Sequence, residues 1–142
     1  YRYSANIHNA KYKSIQEEMF FSLSNMITVI AKEKERVFVV LPIPEIEHSI
    51  NTLIRRASIL DSGFFNIEGI DKKGFEVRNM KISSFLNSQK FPPNVTLIDP
   101  SSLFCDYQSC FAVEDGTPLY FDNNHPSVSG GALIAKEILS NY

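Results

Sequence analysis

Val37-Phe-Val-Val-Leu-Pro-Ile43 is apolar at every position, too uniform for a strand with one wet face. β-Branched and aromatic residues dominate it, and Pro42 and Pro44 end it because neither can donate to a ladder. A run of this kind reads as a central parallel strand covered on both faces. Val95-Thr-Leu-Ile98 repeats the pattern on a shorter scale and stops at Asp99-Pro100. Leu119 to Phe121 is a third and shorter candidate.

Helical periodicity occupies the intervals between these strands. From Lys11 to Ala31, apolar groups recur at helical spacing through Tyr12, Ile15, Met19, Leu23, Met26, Ile27 and Ile30. Glu17 and Glu18 early and Lys32 late suit the helix dipole. Glu45 to Arg56 and Phe75 to Ser88 read as two more helices, the second stopped by Pro92-Pro93. Between them, Ile59 to Gly74, with Gly63, Gly69 and Gly74, reads as an exposed excursion. Glu114-Asp-Gly-Thr117 is a turn between short extended pieces. Val128 to Asn141 is a final helix, with Ser127 as its N-cap. Strands alternating with helices predict an α/β domain built on a parallel sheet. So few strands predict a sheet truncated on its N-terminal side.

The 142 residues suit one domain or a piece of one, and 44% apolar against 21% charged residues is a globular balance. A formal charge of -2 and the lack of a basic stripe argue against nucleic acid as a partner. The apolar runs are far too short to span a bilayer. Tyr1-Arg-Tyr-Ser4 has no secretory layout and no initiator Met, so the chain reads as an excised part of something longer. Its two cysteines, Cys105 and Cys110, cannot close a tetrahedral zinc site by themselves. A redox pair prefers the closer Cys-x-x-Cys spacing. A loop-closing disulfide, in an oxidising compartment, and two free thiols are the readings left.

The chemistry concentrates in Tyr120-Phe-Asp-Asn-Asn-His-Pro-Ser127. A carboxylate three residues before a histidine, in a sharp turn, lets Asp122 accept a hydrogen bond from the Nδ1–H of His125. The tautomer is then fixed and Nε2 is left outward as a base. Ser127 anchors the loop to a helix start, and Gly130-Gly131 permits close packing of that helix. An isolated Asp-x-x-His is more often an ordinary turn histidine. Here the flanking residues favour catalysis.

Those flanks, Tyr-Phe-Asp-Asn-Asn-His-Pro-Ser-x-x-Gly-Gly-Ala, resemble the last block of the SGNH, or GDSL-type, hydrolase superfamily. Leu103-Phe-Cys-Asp-Tyr-Gln-Ser-Cys110, the turn with Gly116, and then Leu119-Tyr-Phe-Asp are similar to a narrower group. This is the C-terminal SGNH domain of bacterial acyltransferase-3 type membrane O-acetyltransferases. Val37 to Pro44 and Ile98-Asp-Pro100 match that group's strand ends, so the resemblance spans roughly residues 12 to 142. It implies the C-terminal portion of a flavodoxin-like three-layer α/β/α sandwich with a parallel sheet.

By the same resemblance, Asp122 and His125 are the acid and base of a Ser-His-Asp triad that O-acylates a cell-surface polysaccharide such as lipopolysaccharide. Cys105 and Cys110 become a structural disulfide, which implies a periplasmic or extracellular face, tethered to a membrane. The implied partners are an acyl donor, a glycan acceptor, the N-terminal remainder of the SGNH domain and a membrane acyltransferase domain. No cofactor or metal is implied. Pro126 departs from the acyltransferase group, which more often has leucine. Proline is common there in secreted SGNH carbohydrate esterases, an alternative function. The family's Gly-Asp-Ser nucleophile block and its oxyanion glycine and asparagine are missing, so the chain alone is expected to be inactive. A non-catalytic SGNH fragment that binds a glycan or a partner is the third reading.

Other candidates carry less chemistry. Ser62, in Ile59-Leu-Asp-Ser62-Gly, resembles the nucleophile block but lacks a preceding apolar strand, and Ser4 has still less support. His8 and His48 have no neighbouring ligands and read as solvated or capping residues. Arg55-Arg56 could meet an anion but reads as a solvated face. Asn94-Val-Thr96 fits a glycosylation acceptor. Phe20, Phe64, Phe65 and Phe91 read as packing residues, with Phe64-Phe65, in the glycine-rich excursion, the one pair worth examining for substrate contact.

Overall fold

The structure is a computed structural model that describes residues 14–60 and 65–142. The helix α1 (Ile15–Glu33) starts at Ser14, whose hydroxyl accepts from the Glu17 amide at 3.1 Å. There follow β1 (Val37–Val40), α2 (Ile50–Ile59), β2 (Ile67–Asp71), α3 (Lys72–Ser88) and β3 (Val95–Ile98). The chain ends with α4 (Ser101–Phe104), β4 (Ser109–Glu114), β5 (Thr117–Pro118) and α5 (Val128–Ser140). Tyr12, placed on the first helix by its spacing, lies outside the described residues.

Two sheets organise these elements. β1 and β3 pair in parallel, with Val37 opposite Val95 and Val40 opposite Ile98. Val39, Leu41 and Leu97 of this pair pack with Ile27 of α1 and Leu86 of α3. The fold is therefore mixed α/β with helices on a parallel pair, as the apolar runs predict. The second sheet is antiparallel, in the order β2-β4-β5. Its core joins Ala112 and Val113 of β4 to Ile46, Ile50, Phe104, Leu119 and Tyr120.

Three local expectations change, each for a physical reason. The helix expected from Glu45 begins only at Ile50. The amides of Ile46 and Glu47 are taken by the distant carbonyls of Asn123 (2.8 Å) and Gly69 (3.1 Å), which holds this stretch out of a helix. Within the glycine-bearing excursion, Ile67–Asp71 is a strand and α3 starts directly after it. Gly69 marks close approach there and no loop, because a Cβ would collide with the side chain of Ile46. Asp71 caps α3 by accepting from the Gly74 amide at 2.8 Å. Finally, Leu119 to Phe121 is not a third parallel strand. Leu119 donates to Ala112 at 2.9 Å, Tyr120 forms a single bridge with Pro126, and Phe121 turns back to the His125 carbonyl. The β4–β5 hairpin does close through Asp115 and Gly116, both at positive φ (48° and 72°), as its turn residues predict.

Cys105 and Cys110 are joined by a disulfide, and Cys110 is fully buried. Within the loop they close, the Asp106 carboxylate accepts from the amides of Gln108 and Ser109, both at 2.7 Å. The Ser109 and then the Gln108 hydrogen bond hold its carboxyl below the ordinary carboxylate range. Mass spectrometry of material kept free of reductant should find the bond, and Cys105→Ser with Cys110→Ser should cost about 2 kcal/mol on a loop-closure account.

The glycine pair at the start of α5 divides. A Cβ on Gly130 would strike the carbonyl oxygen of Leu119, whereas nothing lies within 4 Å of one on Gly131. Gly130→Ala should therefore destabilise the fold by about 1–3 kcal/mol. Gly131→Ala, at an interior helix position, should stabilise it by about 0.5–1 kcal/mol. Thermal or denaturant unfolding of the two variants should show shifts of opposite sign.

Candidate active site

Residues 118 to 130 form a returning loop tied at several points. The Ser127 amide donates to the Leu119 carbonyl at 2.9 Å, and the Ser127 hydroxyl donates to the Pro118 carbonyl at 2.7 Å. The same hydroxyl caps α5 by accepting from the Gly130 amide at 3.1 Å. Between these ties, the Phe121 amide closes onto the His125 carbonyl at 2.8 Å. A second segment clamps the turn from outside. Ile46 donates to Asn123 O at 2.8 Å and Ile50 to Asp122 O at 3.1 Å. The turn is thus fixed by backbone on both sides before its side chains are considered.

Asp122 then organises the interior of the turn. Its Oδ1 accepts from the amides of Asn124 (2.9 Å) and His125 (2.8 Å), an arrangement open to Asp because its short side chain reaches its own following backbone. Its Oδ2 lies 2.8 Å from His125 Nδ1. The Asn124 amide, then the His125 amide, then the imidazole hold the Asp122 carboxyl well below the ordinary carboxylate range. An ionised carboxylate can only accept, so Nδ1 carries the proton, and in the neutral imidazole the lone pair is then on Nε2. The His125 side chain is 71% exposed against 37% for Asp122, so the ring is open to an incoming group. An imidazole held in this way can act as a general base.

A cavity of about 690 Å³ adjoins the turn. Asp122 and Phe121 line it from the loop, Ile50 and Ile54 from α2, and Pro118 and Val128 from the flanks of the turn. Phe121 and Val128 are 76% and 93% exposed, which leaves an apolar rim beside the polar pair. Under the turn, Tyr120 is buried and stacks with Phe104 at a centroid distance of 5.7 Å. Its hydroxyl has no hydrogen-bond partner among the described residues, and burial pushes its ionisation far above the usual tyrosine range. Tyr120 is a packing residue here and offers no proton at neutral pH.

The structure brings together Asp122, His125 and Ser127, as their spacing predicts. Ser127 is not a nucleophile, since its hydroxyl is committed to Pro118 and Gly130. Among the described residues, no hydroxyl lies within hydrogen-bond distance of His125 Nε2. Ser4, His8, Ser62 and Phe64 lie outside the described residues. His48 is exposed, as are Arg55 and Arg56. Asn94 spends its amide on the carbonyls of Ala31 and Lys34, both at 2.8 Å, which ties α1 to the start of β3. Phe20 stacks near Phe85, and Phe91 packs beside the parallel pair. Phe65 is 67% exposed, and its carbonyl accepts from the Gly116 amide at 2.7 Å. Sequence reasoning missed the clamp from Ile46 and Ile50, because those bonds join residues more than seventy positions apart.

The chain is a mixed α/β domain that presents a carboxylate-steered histidine just before a capped C-terminal helix. The family model described as "SGNH domain (fused to AT3 domains)" matches residues 1–140, and the chain belongs to that family. It is an acyltransferase-associated SGNH domain. Neither the curated proteins nor the solved structures yield a match. Among the described residues, no helix is long and apolar enough to cross a membrane.

The two backbone amides outrank the imidazole in lowering the Asp122 carboxyl, which sets up a direct test. In His125→Ala, carbon-detected NMR of Asp122 should still find a carboxyl titrating below the ordinary range. A depressed folded-state value means the Asp122 contribution is present above the unfolded pKa and lost as pH falls through the folded one. The turn should therefore loosen only in strong acid.

Proposed function

We propose that this chain carries the acid–base half of a Ser-His-Asp acyl-transfer site, in a protein that O-acylates a cell-surface polysaccharide on the periplasmic or extracellular face. The observation that carries the reading is the 2.8 Å contact between Asp122 Oδ2 and His125 Nδ1, held in a turn whose backbone is clamped from both sides. The SGNH family membership supports the chemistry, and the association with AT3 domains supports transfer tied to a membrane partner. The Cys105–Cys110 disulfide supports an oxidising compartment.

In this reading, the described fold is the C-terminal portion of a three-layer α/β/α sandwich. Helices α1 and α3 pack beside Val39 and Leu97. On the neighbouring position Phe38, whose side chain alternates to the other face, the contact is Tyr142, just beyond α5, with a centroid distance of 6.3 Å. Both support helical layers on opposite faces of the parallel pair.

The mechanism follows from the geometry. A serine from another segment of the protein attacks the acyl carbonyl while His125 Nε2 takes its proton. Asp122 holds the ring and stabilises the imidazolium that forms. The protonated His125 then gives its proton to the leaving group. In the second half, Nε2 deprotonates a glycan hydroxyl as it attacks the acyl-enzyme, and His125 returns that proton to the serine oxygen as its bond to the acyl group breaks. Water in place of the glycan gives hydrolysis by the same groups, so ester cleavage is a usable readout.

A longer form of the protein that includes the serine block should hydrolyse 4-nitrophenyl acetate. His125→Ala should lower kcat by about 10⁴–10⁶ without a fall in thermal midpoint, and Asp122→Asn by about 10⁴ with a lower midpoint, because the charge that the Asn124 and His125 amides stabilise is gone. Full activity in His125→Ala would reject the assignment.

A further inference from the structure

β1 and β3 run parallel, so their carboxyl ends lie at one edge of the sheet, the edge at which open α/β sheets hold ligands. A second cavity, of about 470 Å³, opens there. Ligand sites run from roughly 300 to 1,000 Å³, so the space suits a small molecule or part of a longer one. One wall is a single face of α3, where Lys73, Glu76, Asn79 and Ser83 recur at intervals of three or four residues. The other wall is made by Pro42 after β1 and by Asp99 and Ser101 after β3.

The polar groups of this groove are underused. Lys73, Glu76, Ser83 and Ser101 make no side-chain hydrogen bond or ion pair with another described residue. Asn79 spends its Nδ2 on the Phe75 carbonyl at 3.1 Å, which leaves Oδ1. Asp99 spends Oδ1 on the Ser101 amide at 2.9 Å, which leaves Oδ2. One cation against two carboxylates disfavours an anionic ligand. The mixture of free donors and acceptors suits groups that both donate and accept, and hydroxyls do both. Val77 and Met80, 62% and 59% exposed, add apolar surface along the same cavity. A ligand with many hydroxyls and C–H faces satisfies both kinds of surface. Saccharides are that chemistry.

The groove also sits at the end of the fold that holds the Asp122–His125 turn. Ile46 is four positions after Pro42, so the two lie within about 14 Å. Ile46 is the residue whose amide bonds Asn123 at the centre of the turn. Arg78 of α3 reaches Glu45 at 3.0 Å and ties the groove wall to the same segment. We propose that the groove between α3 and the carboxyl ends of β1 and β3 is a neutral saccharide subsite, which holds the acceptor chain away from the hydroxyl to be acylated. The role as acceptor subsite rests on the acyl-transfer reading above, whereas the binding itself can be measured without catalysis.

The test is an amide NMR titration of the longer form of the protein, which includes the serine block, with maltotriose, with chitotriose and with trigalacturonate. At least one neutral trisaccharide should shift the amides of residues 73–83 and 99–101. Asn79→Ala combined with Ser83→Ala should weaken that binding about tenfold, the effect of losing one or two net hydrogen bonds. The thermal midpoint should stay in place, and Lys136→Ala, on α5, should bind as wild type. The proposal is overturned if neither neutral sugar moves these amides, if trigalacturonate binds there more tightly than both, or if the shifts fall only around Phe121 to Val128. Trisaccharide binding in the groove with no ester hydrolysis by the longer protein would sink the catalytic reading alone. Hydrolysis with no binding would sink the subsite alone.

Discussion

One carboxylate holds the working end of this domain together. Asp122 receives two backbone amides on one oxygen and an imidazole on the other, so the same group shapes the turn and aims its histidine. Shape and function cannot be separated there. The amide bonds to Asp122 add to the backbone ties that close the turn, and closure gives the ring its fixed partner. Because the amides are the stronger influence on the carboxyl, the charge that steadies the imidazole is present before the imidazole contributes anything.

The surrounding fold exists, in mechanical terms, to present that turn. The β4–β5 hairpin delivers the chain to Leu119, and Leu119 accepts the Ser127 amide and lies against the bare Cα of Gly130. Helix α5 is therefore seated on the strand end through a glycine, and the loop between them is only as long as the turn requires. From the other direction, the segment leaving β1 adds Ile46 and Ile50 to the carbonyl side of the turn. A buried cluster of Ile46, Ile50, Phe104, Leu119 and Tyr120 fills the space beneath. The rigidity comes from packing and backbone hydrogen bonds, while the His125 side chain stays exposed and that of Asp122 partly so.

Both cavities combine apolar and polar walls. The one beside Asp122 sets Ile50, Ile54 and Val128 beside Ser49, Asn51 and Ser129, and the one at the ends of β1 and β3 sets Val77 and Met80 beside Lys73, Glu76 and Asn79. The segment from Pro42 to Ile46 connects them.

Most of the local structure was legible from the residues. Uniform β-branched runs ended by proline specify β1 and β3, helical periodicity specifies α1, α3 and α5, and Asp115-Gly116 specifies the hairpin turn. Asp122, His125 and the Ser127 cap could also be read, because their contacts span three residues or fewer. These features depend on local sterics and short hydrogen bonds, which a sequence states directly. What only tertiary structure decided involves partners distant in the chain. Gly69 looks like a loop glycine until Ile46 is packed against it, and residues 45–49 look helical until their amides reach Asn123 and Gly69. Of two adjacent glycines, only Gly130 faces Leu119. Long-range contacts carry no periodicity of their own, so the clamp on the histidine turn and the groove beside α3 emerge only once the chain is folded.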